Sequence, residues 1–164
     1  MDEVVIGKGK LAGKGVYAAR AFKKGEVVKY WNLIELSKEG FNALPKSEHE
    51  FVHSFWGNIY LFPEPSRYTN HSADANTVAD FENMCDIASR SISKGEMITN
   101  NAKLEVLKEV ETFILFYENA EVYNFQWLEG GYRNASVSYR LRSGIQKKVV
   151  LKRAGGSFQI ISEK

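Results

Sequence analysis

Arg67-Tyr68-Thr69-Asn70-His71-Ser72-Ala73-Asp74-Ala75-Asn76 is the stretch on which the reading of this sequence turns. By composition alone it is a polar turn, and His71 reads as a satisfied core histidine. Upstream, Gly13-Lys14-Gly15-Val16-Tyr17-Ala18 is a glycine turn running into a short strand, followed by Ala19-Arg20-Ala21-Phe22-Lys23-Lys24-Gly25-Glu26. The glycines at 9–15 do not make a phosphate loop, because Gly15 stands where a metal-binding Ser or Thr is needed. Downstream comes Ile87-Ala88-Ser89-Arg90-Ser91-Ile92-Ser93-Lys94-Gly95-Glu96-Met97-Ile98-Thr99. Between these pieces the chain predicts short strands at Val4–Ile6, Gly15–Ala18, Val27–Leu36, Trp56–Phe62, Thr77–Phe81, Ile87–Ser91 and Met97–Thr99. Gly25-Glu26 and Lys94-Gly95 are turns, and no repeats are read.

From Lys103 the pattern changes. Leu104, Leu107, Val110 and Ile114 recur every three or four residues, which predicts a helix over about 103–119. A loop rich in aromatics (Tyr123, Phe125, Trp127) leads to a three-stranded antiparallel meander. Its strands contain Val137–Leu141, Gln146–Lys152 and Phe158–Ile161, with one apolar and one basic face. The boundary falls near Ala102, giving domains 1–102 and 103–164. The fold class is mainly β with short helices.

The net charge of +2 hides an asymmetry. Residues 1–132 carry 14 Lys/Arg and 19 Asp/Glu, a net of −5, whereas residues 133–164 carry 8 basic groups against Glu163, a net of +7. A basic end on an acidic body points to a solvated sheet face, or to weak contact with an acidic partner or nucleic acid. The single Cys85 allows no internal disulfide and no cysteine-rich zinc site. Acidic residues at the start, without an apolar run, do not make a secretory signal, and no run of 18 apolar residues occurs. A soluble, intracellular protein is expected.

His49-Glu50-Phe51-Val52-His53 matches H-E-x-x-H, with Ser47 and Glu50 at capping-box spacing. On a helix both imidazoles would share a face and could meet one zinc, with Glu50 activating a water. For the third ligand that a zinc hydrolase needs, Glu64 and Glu82 are the remaining candidates and no motif supports either, so a zinc hydrolase using His49, Glu50 and His53 is the least favoured alternative. The expectation is an exposed polar helix face and no metal.

The 67–76 stretch resembles the R-[FY]-x-N-H-S-C-x-P-N segment of SET-domain protein-lysine methyltransferases. Residues 13–26 resemble the family's opening, Tyr30-Trp31-Asn32 stands at its Y-x-G, and residues 87–99 resemble A-x-R-x-I-x-x-G-E-E-L-T. The resemblance covers about residues 4–102 and implies a SET-domain β-fold, with S-adenosylmethionine as cofactor. It implies that the backbone of Lys14, Gly15, Val16 and Tyr17 approaches the methionine part, and that Asn70 and His71 hydrogen-bond the cofactor. Tyr30 becomes the candidate catalytic tyrosine of the substrate channel. The implied reaction is methyl transfer to the ε-amine of an exposed lysine on a protein substrate, largely by in-line positioning.

The departures bear on turnover. Where the family has L-T-Y-D-Y, this chain has Ile98-Thr99-Asn100-Asn101-Ala102, so Asn100 and Ala102 replace two tyrosines; Ala73 and Ala75 replace Cys and Pro. The alternative is therefore a weak or inactive SET-fold binding module. Residues 103–164 resemble, more weakly, part of a nuclear transport factor 2-like domain, which would allow a dimer through this extension.

Overall fold

Period-two stretches bounded by glycine turns do fold as short strands. The computed structural model describes residues 3–10, 13–128, 134–154 and 157–163. In chain order the first half holds β1 (Val4–Lys8), β2 (Lys14–Ala18), β3 (Val27–Tyr30), β4 (Ile34–Leu36), α1 (Lys38–Ala43), a 3-10 helix (Lys46–Phe51), β5 (Val52–Phe55) and β6 (Asn58–Leu61). Then come a 3-10 turn (Ser66–Tyr68), β7 (Asn70–His71), β8 (Thr77–Asp80), β9 (Cys85–Ala88) and β10 (Met97–Asn100). The rest is α2 (Ala102–Glu118), β11 (Ala120–Trp127), β12 (Asn134–Leu141), β13 (Gln146–Ala154) and β14 (Ser157–Glu163). By contact the chain divides into two units, Met1–Ile34 with Phe62–Ala102, and Glu35–Leu61 with Lys103–Lys164.

The first unit has a sheet in the order β1-β2-β10-β7 and another in the order β3-β9-β8. Both are antiparallel except for the parallel pair β10–β7. Its core holds two equivalent triplets, Ala18, Phe22 and Val28, and Ala88, Ile92 and Ile98. These belong to a short repeat that the sequence reading misses: A-x-R-x-Φ-x-K-G-E-x-Φ (Φ apolar) at 18–28 and again at 88–98. The two copies bond to each other reciprocally. Ala18 N–H donates to Glu96 O and Ala88 N–H to Glu26 O; Gly95 N–H donates to Ala18 O and Gly25 N–H to Ala88 O. Phe22 and Ile92 exchange both backbone bonds at 2.9 Å. Gly25 and Gly95 both turn at positive φ, 88° and 82°, where a Cβ would be strained.

In each copy the glutamate closes its own turn. Glu26 accepts from Lys23 N–H and Arg20, and Glu96 from Ser93 N–H and Arg90. Arg90 first, then the Ser93 and Asn76 donors, hold the Glu96 carboxyl down at about 2, against its ordinary 4.5, in spite of partial burial. A depressed carboxylate contributes stability above its unfolded pKa and loses it as pH falls through the folded one. Between pH 4.5 and 2 the natural chain is therefore expected to lose about 1–2 kcal/mol through Glu96, after discounting for its exposure. Acid titrations followed by circular dichroism should show Glu96→Gln losing less stability over that interval; equal losses would remove Glu96 from the account.

In the second unit α2 lays Val106, Val110 and Ile114 on the inner face of the sheet β11-β12-β13-β14, against Val137, Tyr139, Val149 and Leu151. This sheet has four strands, because the aromatic stretch expected as a loop is β11. A bulge between Val122 and Asn124 breaks its alternation, so Val122 and Phe125 both turn inward. The outer face bears Arg140, Lys148 and Lys152, all exposed, among Ser136, Ser138 and Gln146; Arg142 lies in the following turn. β4, β6 and β5 form a smaller sheet. The strand expected over Trp56–Phe62 is instead the second half of the hairpin β5–β6. Its two-residue turn is Trp56-Gly57, at φ 49° and 83°, the double positive φ that tight hairpins require.

The histidine motif does not form a zinc face. Residues 46–51 make a 3-10 helix without a side-chain cap, and β5 begins at Val52, so His49 and His53 lie on different elements. His49 packs on Phe41 at 4.5 Å and its Nε2 lies 3.2 Å from Leu44 O. His53 lies with Glu109 and Arg153. Among the described residues no group of three or more His, Cys, Asp or Glu is arranged to hold a metal, and no helix is long and apolar enough to cross a membrane.

Candidate active site

Six of the seven expected site residues share one sheet. Lys14, Gly15, Val16 and Tyr17 are on β2, and Asn70 and His71 form β7, with β10 between the two strands. Val16 pairs with Ile98, and Asn70 and His71 pair with Thr99 and Asn100. Buried Asn70 ties the ends together: its Nδ2 donates to Lys14 O and to Tyr68 O, each at 3.0 Å. His71 Nδ1 accepts from Ala102 N–H at 3.0 Å, which assigns the proton of a neutral ring to Nε2.

Packing around β2 is tight at one glycine and open at the other. A Cβ at Gly15 would come within 3.2 Å of Gly9 Cα and 3.3 Å of Met97 Cε, whereas one at Gly13 would meet nothing within 4 Å. The Tyr17 hydroxyl donates to Lys8 O. Lys14 reaches out to Tyr68 Oη (3.3 Å) and Glu64 Oε1 (3.4 Å), while Tyr68 donates to Glu64 at 2.8 Å. Tyr68 first, then Glu64, hold the exposed Lys14 ammonium above the ordinary lysine value.

Tyr30 lies apart, at the end of β3 in the other sheet, paired with Cys85 and 57% exposed. It lines a cavity of about 770 Å³ whose walls include Val4, Ile6, Val28, Lys29 and Glu64. Asn32, where the resembling family has glycine, sits at φ 51°, a left-handed position that asparagine tolerates. Behind Tyr30, the buried Lys29 ammonium pairs with the buried Asp86 carboxylate, and Trp31 Nε1 donates to Asp86 at 3.1 Å.

Two groups escape the sequence reading. Lys29 lies between apolar residues and carries no motif. Asn76 closes the quoted stretch, where spacing alone assigns it nothing; it is 1% exposed, donates to Met97 O (2.8 Å) and Glu96 Oε1 (3.0 Å), and accepts from Thr99 N–H (2.8 Å). It thereby pins β10 to the segment carrying Asn70 and His71.

A family model described as SET domain matches residues 13–101. Among solved structures, a candidate histone methyltransferase of Plasmodium falciparum aligns with a TM-score of 0.51 at 21% identity, over 62% of this chain and 93% of that one. A humanized mutant of the Chaetomium thermophilum Polycomb Repressive Complex 2, bound to an inhibitor, gives 0.47 at 24% identity, over 60% of this chain and 14% of that one. At 21% identity the first likeness is one of fold. No curated protein matches. The family model stops at residue 101, and these matches give residues 103–164 no support as a nuclear transport factor 2-like unit. The tail is a helix and a four-stranded sheet that share a compact unit with residues 35–61.

Proposed function

Because the chain belongs to the SET-domain family, matched over more than half its length, we propose that it binds S-adenosylmethionine and is built for N-methylation of an exposed protein lysine, with turnover held low. The bond from Asn70 Nδ2 to Lys14 O carries this reading, since it joins the two segments that would hold the cofactor. The groups present fit such a ligand: open space beside Gly13, a β2 backbone closely approached at Gly15, and an imidazole with its proton on Nε2. Bound there, S-adenosylmethionine would supply the methyl group. Lys14–Tyr17, Asn70 and His71 would bind and orient it.

Tyr30 would line the way in for the lysine. The apolar part of its cavity wall, Val4, Ile6 and Val28, would pack on the aliphatic stem of the lysine, while Glu3 and Glu64 would attract its incoming ammonium. A second reading, a cofactor-binding module without turnover, is favoured by Ala102, whose methyl side chain offers no hydrogen bond at the position of a family tyrosine.

Calorimetric titration with S-adenosylmethionine tests the cofactor. Micromolar affinity is expected, about −8 kcal/mol. His71→Ala should weaken it by about 1–3 kcal/mol, the cost of leaving a buried polar partner unsatisfied. Absence of heat or thermal shift at millimolar ligand would overturn the assignment of this pocket.

A further inference from the structure

Strand alternation divides the basic residues of the tail between two faces of one sheet. Ala135, Val137, Val149 and Leu151 turn toward α2, so Arg140, Lys148 and Lys152 stand exposed on the other side. Inward-facing Lys147 and Arg153 are taken by Glu163 and Glu109. The outer three form no ion pair among the described residues, and the one carboxylate described on their face is Glu121, at the β11 edge opposite Arg140. Pairing sets Arg140 beside Gln146, Ser138 beside Lys148, Ser136 beside Val150 and Asn134 beside Lys152, in four successive rows. Rows two residues apart are spaced by about 6.6 Å, so the cations follow a track roughly 20 Å long. The third row has no cation but holds a cavity of about 240 Å³, whose lining includes Gln126, Ser136, Lys148 and Val150. At the first row the bulged residue Tyr123 donates its hydroxyl to Gln146 Oε1 at 3.2 Å, from β11 to β13. Adjacent strands lie about 4.8 Å apart, so this side chain must lie across β12 instead of standing up from the sheet. Its ring is 5.7 Å from the Arg140 guanidinium carbon, and the residue is 52% exposed.

We propose that this face binds a single strand of nucleic acid, with phosphates on Arg140, Lys148 and Lys152, one base stacked on Tyr123 and another in the cavity beside Gln126. Charge complementarity selects a polyanion. The ring laid flat beside the track selects one that carries planar groups, since base stacking on an aromatic side chain accepts any base. The Gln126 amide can both donate to and accept from a base edge. A duplex fits badly, because four strands span about 14 Å between their axes and the major groove is roughly 12 Å wide. An anionic membrane would be met by inserted apolar side chains, whereas this ring lies along the sheet with its hydroxyl bound to Gln146. The proposal is independent of methyl transfer.

Fluorescence anisotropy of the full chain with a labelled oligothymidylate of about twelve nucleotides tests it, the length falling within known single-strand site sizes. Three phosphate contacts at about 0.7 each predict a slope of about −2 for log K against log salt, hence about 20-fold weaker binding at roughly 200 mM than at roughly 50 mM salt. Lys148→Ala should bring that slope about 0.7 closer to zero. Tyr123→Leu should weaken binding about tenfold with the slope unchanged, and an abasic strand of equal length should bind the natural chain about tenfold more weakly than the oligothymidylate. Both substitutions are at exposed positions and should leave the circular dichroism spectrum unchanged. No binding at the lower salt overturns the proposal. So does equal affinity for the abasic strand, for the duplex with oligoadenylate, or for phosphatidylserine vesicles at matched charge, and so does a slope or an affinity that the respective substitution leaves unmoved.

Discussion

Replacing Glu109 with alanine is expected to destabilise the protein by about 3–5 kcal/mol, the usual result of removing one partner from a buried ion pair. Glu109 is fully buried on α2, where its carboxylate accepts from Ser54 N–H at 2.9 Å and from the Arg153 guanidinium, and lies 3.1 Å from His53 Nδ1. Burial pushes its pKa up; Arg153, then His53 and the Ser54 amide, bring it below the ordinary value. Its stabilisation is therefore present at neutral pH and lost as acid takes the carboxylate through that lowered pKa. Alanine would leave a largely buried guanidinium and a backbone N–H without their acceptor. The double variant Glu109→Leu with Arg153→Met should recover most of the loss, since apolar isosteres can replace a buried pair at little cost. Urea unfolding of the three proteins measures this; a loss under about 1 kcal/mol in Glu109→Ala would mean the carboxylate is not the keystone of that unit.

Ala102→Tyr is expected to raise methyl transfer by about 10²–10³-fold, the usual weight of one positioned group at a reaction centre. The backbone at 102 is already held, by the bond from its N–H to His71, so a new side chain would start from a fixed point beside a proposed cofactor ligand. Buried Asn100 stands at the other lost tyrosine. Tyr117 and Tyr123 are engaged in the second unit, Tyr117 with the Phe113 ring at 4.7 Å and Tyr123 through its hydroxyl to Gln146. Tyr117→Phe and Tyr123→Phe should thus leave the low natural turnover unchanged. Radiolabelled methyl transfer to a mixture of lysine-rich proteins measures all four chains. Vigorous turnover by the natural chain would contradict the role given to position 102, and no gain in Ala102→Tyr would favour the binding-module reading.

The strands and α2 were legible because burial on one face writes a period of two or 3.6 into the sequence. Residues 14–17, 70 and 71 were singled out for another reason, their place in segments that resemble the SET family, and what the fold adds is that β2 and β7 lie in one sheet. What stayed hidden depended on tertiary contacts. β11 looked like a loop because one bulged residue, Tyr123, breaks the alternation. The hairpin at Trp56-Gly57 carries no Asn-Gly signal. His49 and His53 match a helical motif by spacing, but nothing in that spacing reveals that the helix stops at Phe51. Lys29 finds its meaning only in Asp86, a strand away. The repeated corner is faint in the sequence because its copies share only alanine, arginine, lysine, glycine and glutamate over residues 18–26 and 88–96.

That corner also constrains the route by which the chain reaches its native state. Each copy receives its closing backbone bonds from the other, so neither can be completed alone, and the chain must first bring together segments separated by a constant 70 residues. Closing so long a loop has an entropic cost that must be met before the buried triplets reward it. The strands β2 and β10, which meet next to the proposed cofactor site, start from this junction. The proposed cofactor site, which needs β2 and β10 side by side, therefore depends on the same long-range closure as the junction that joins the two ends of its unit.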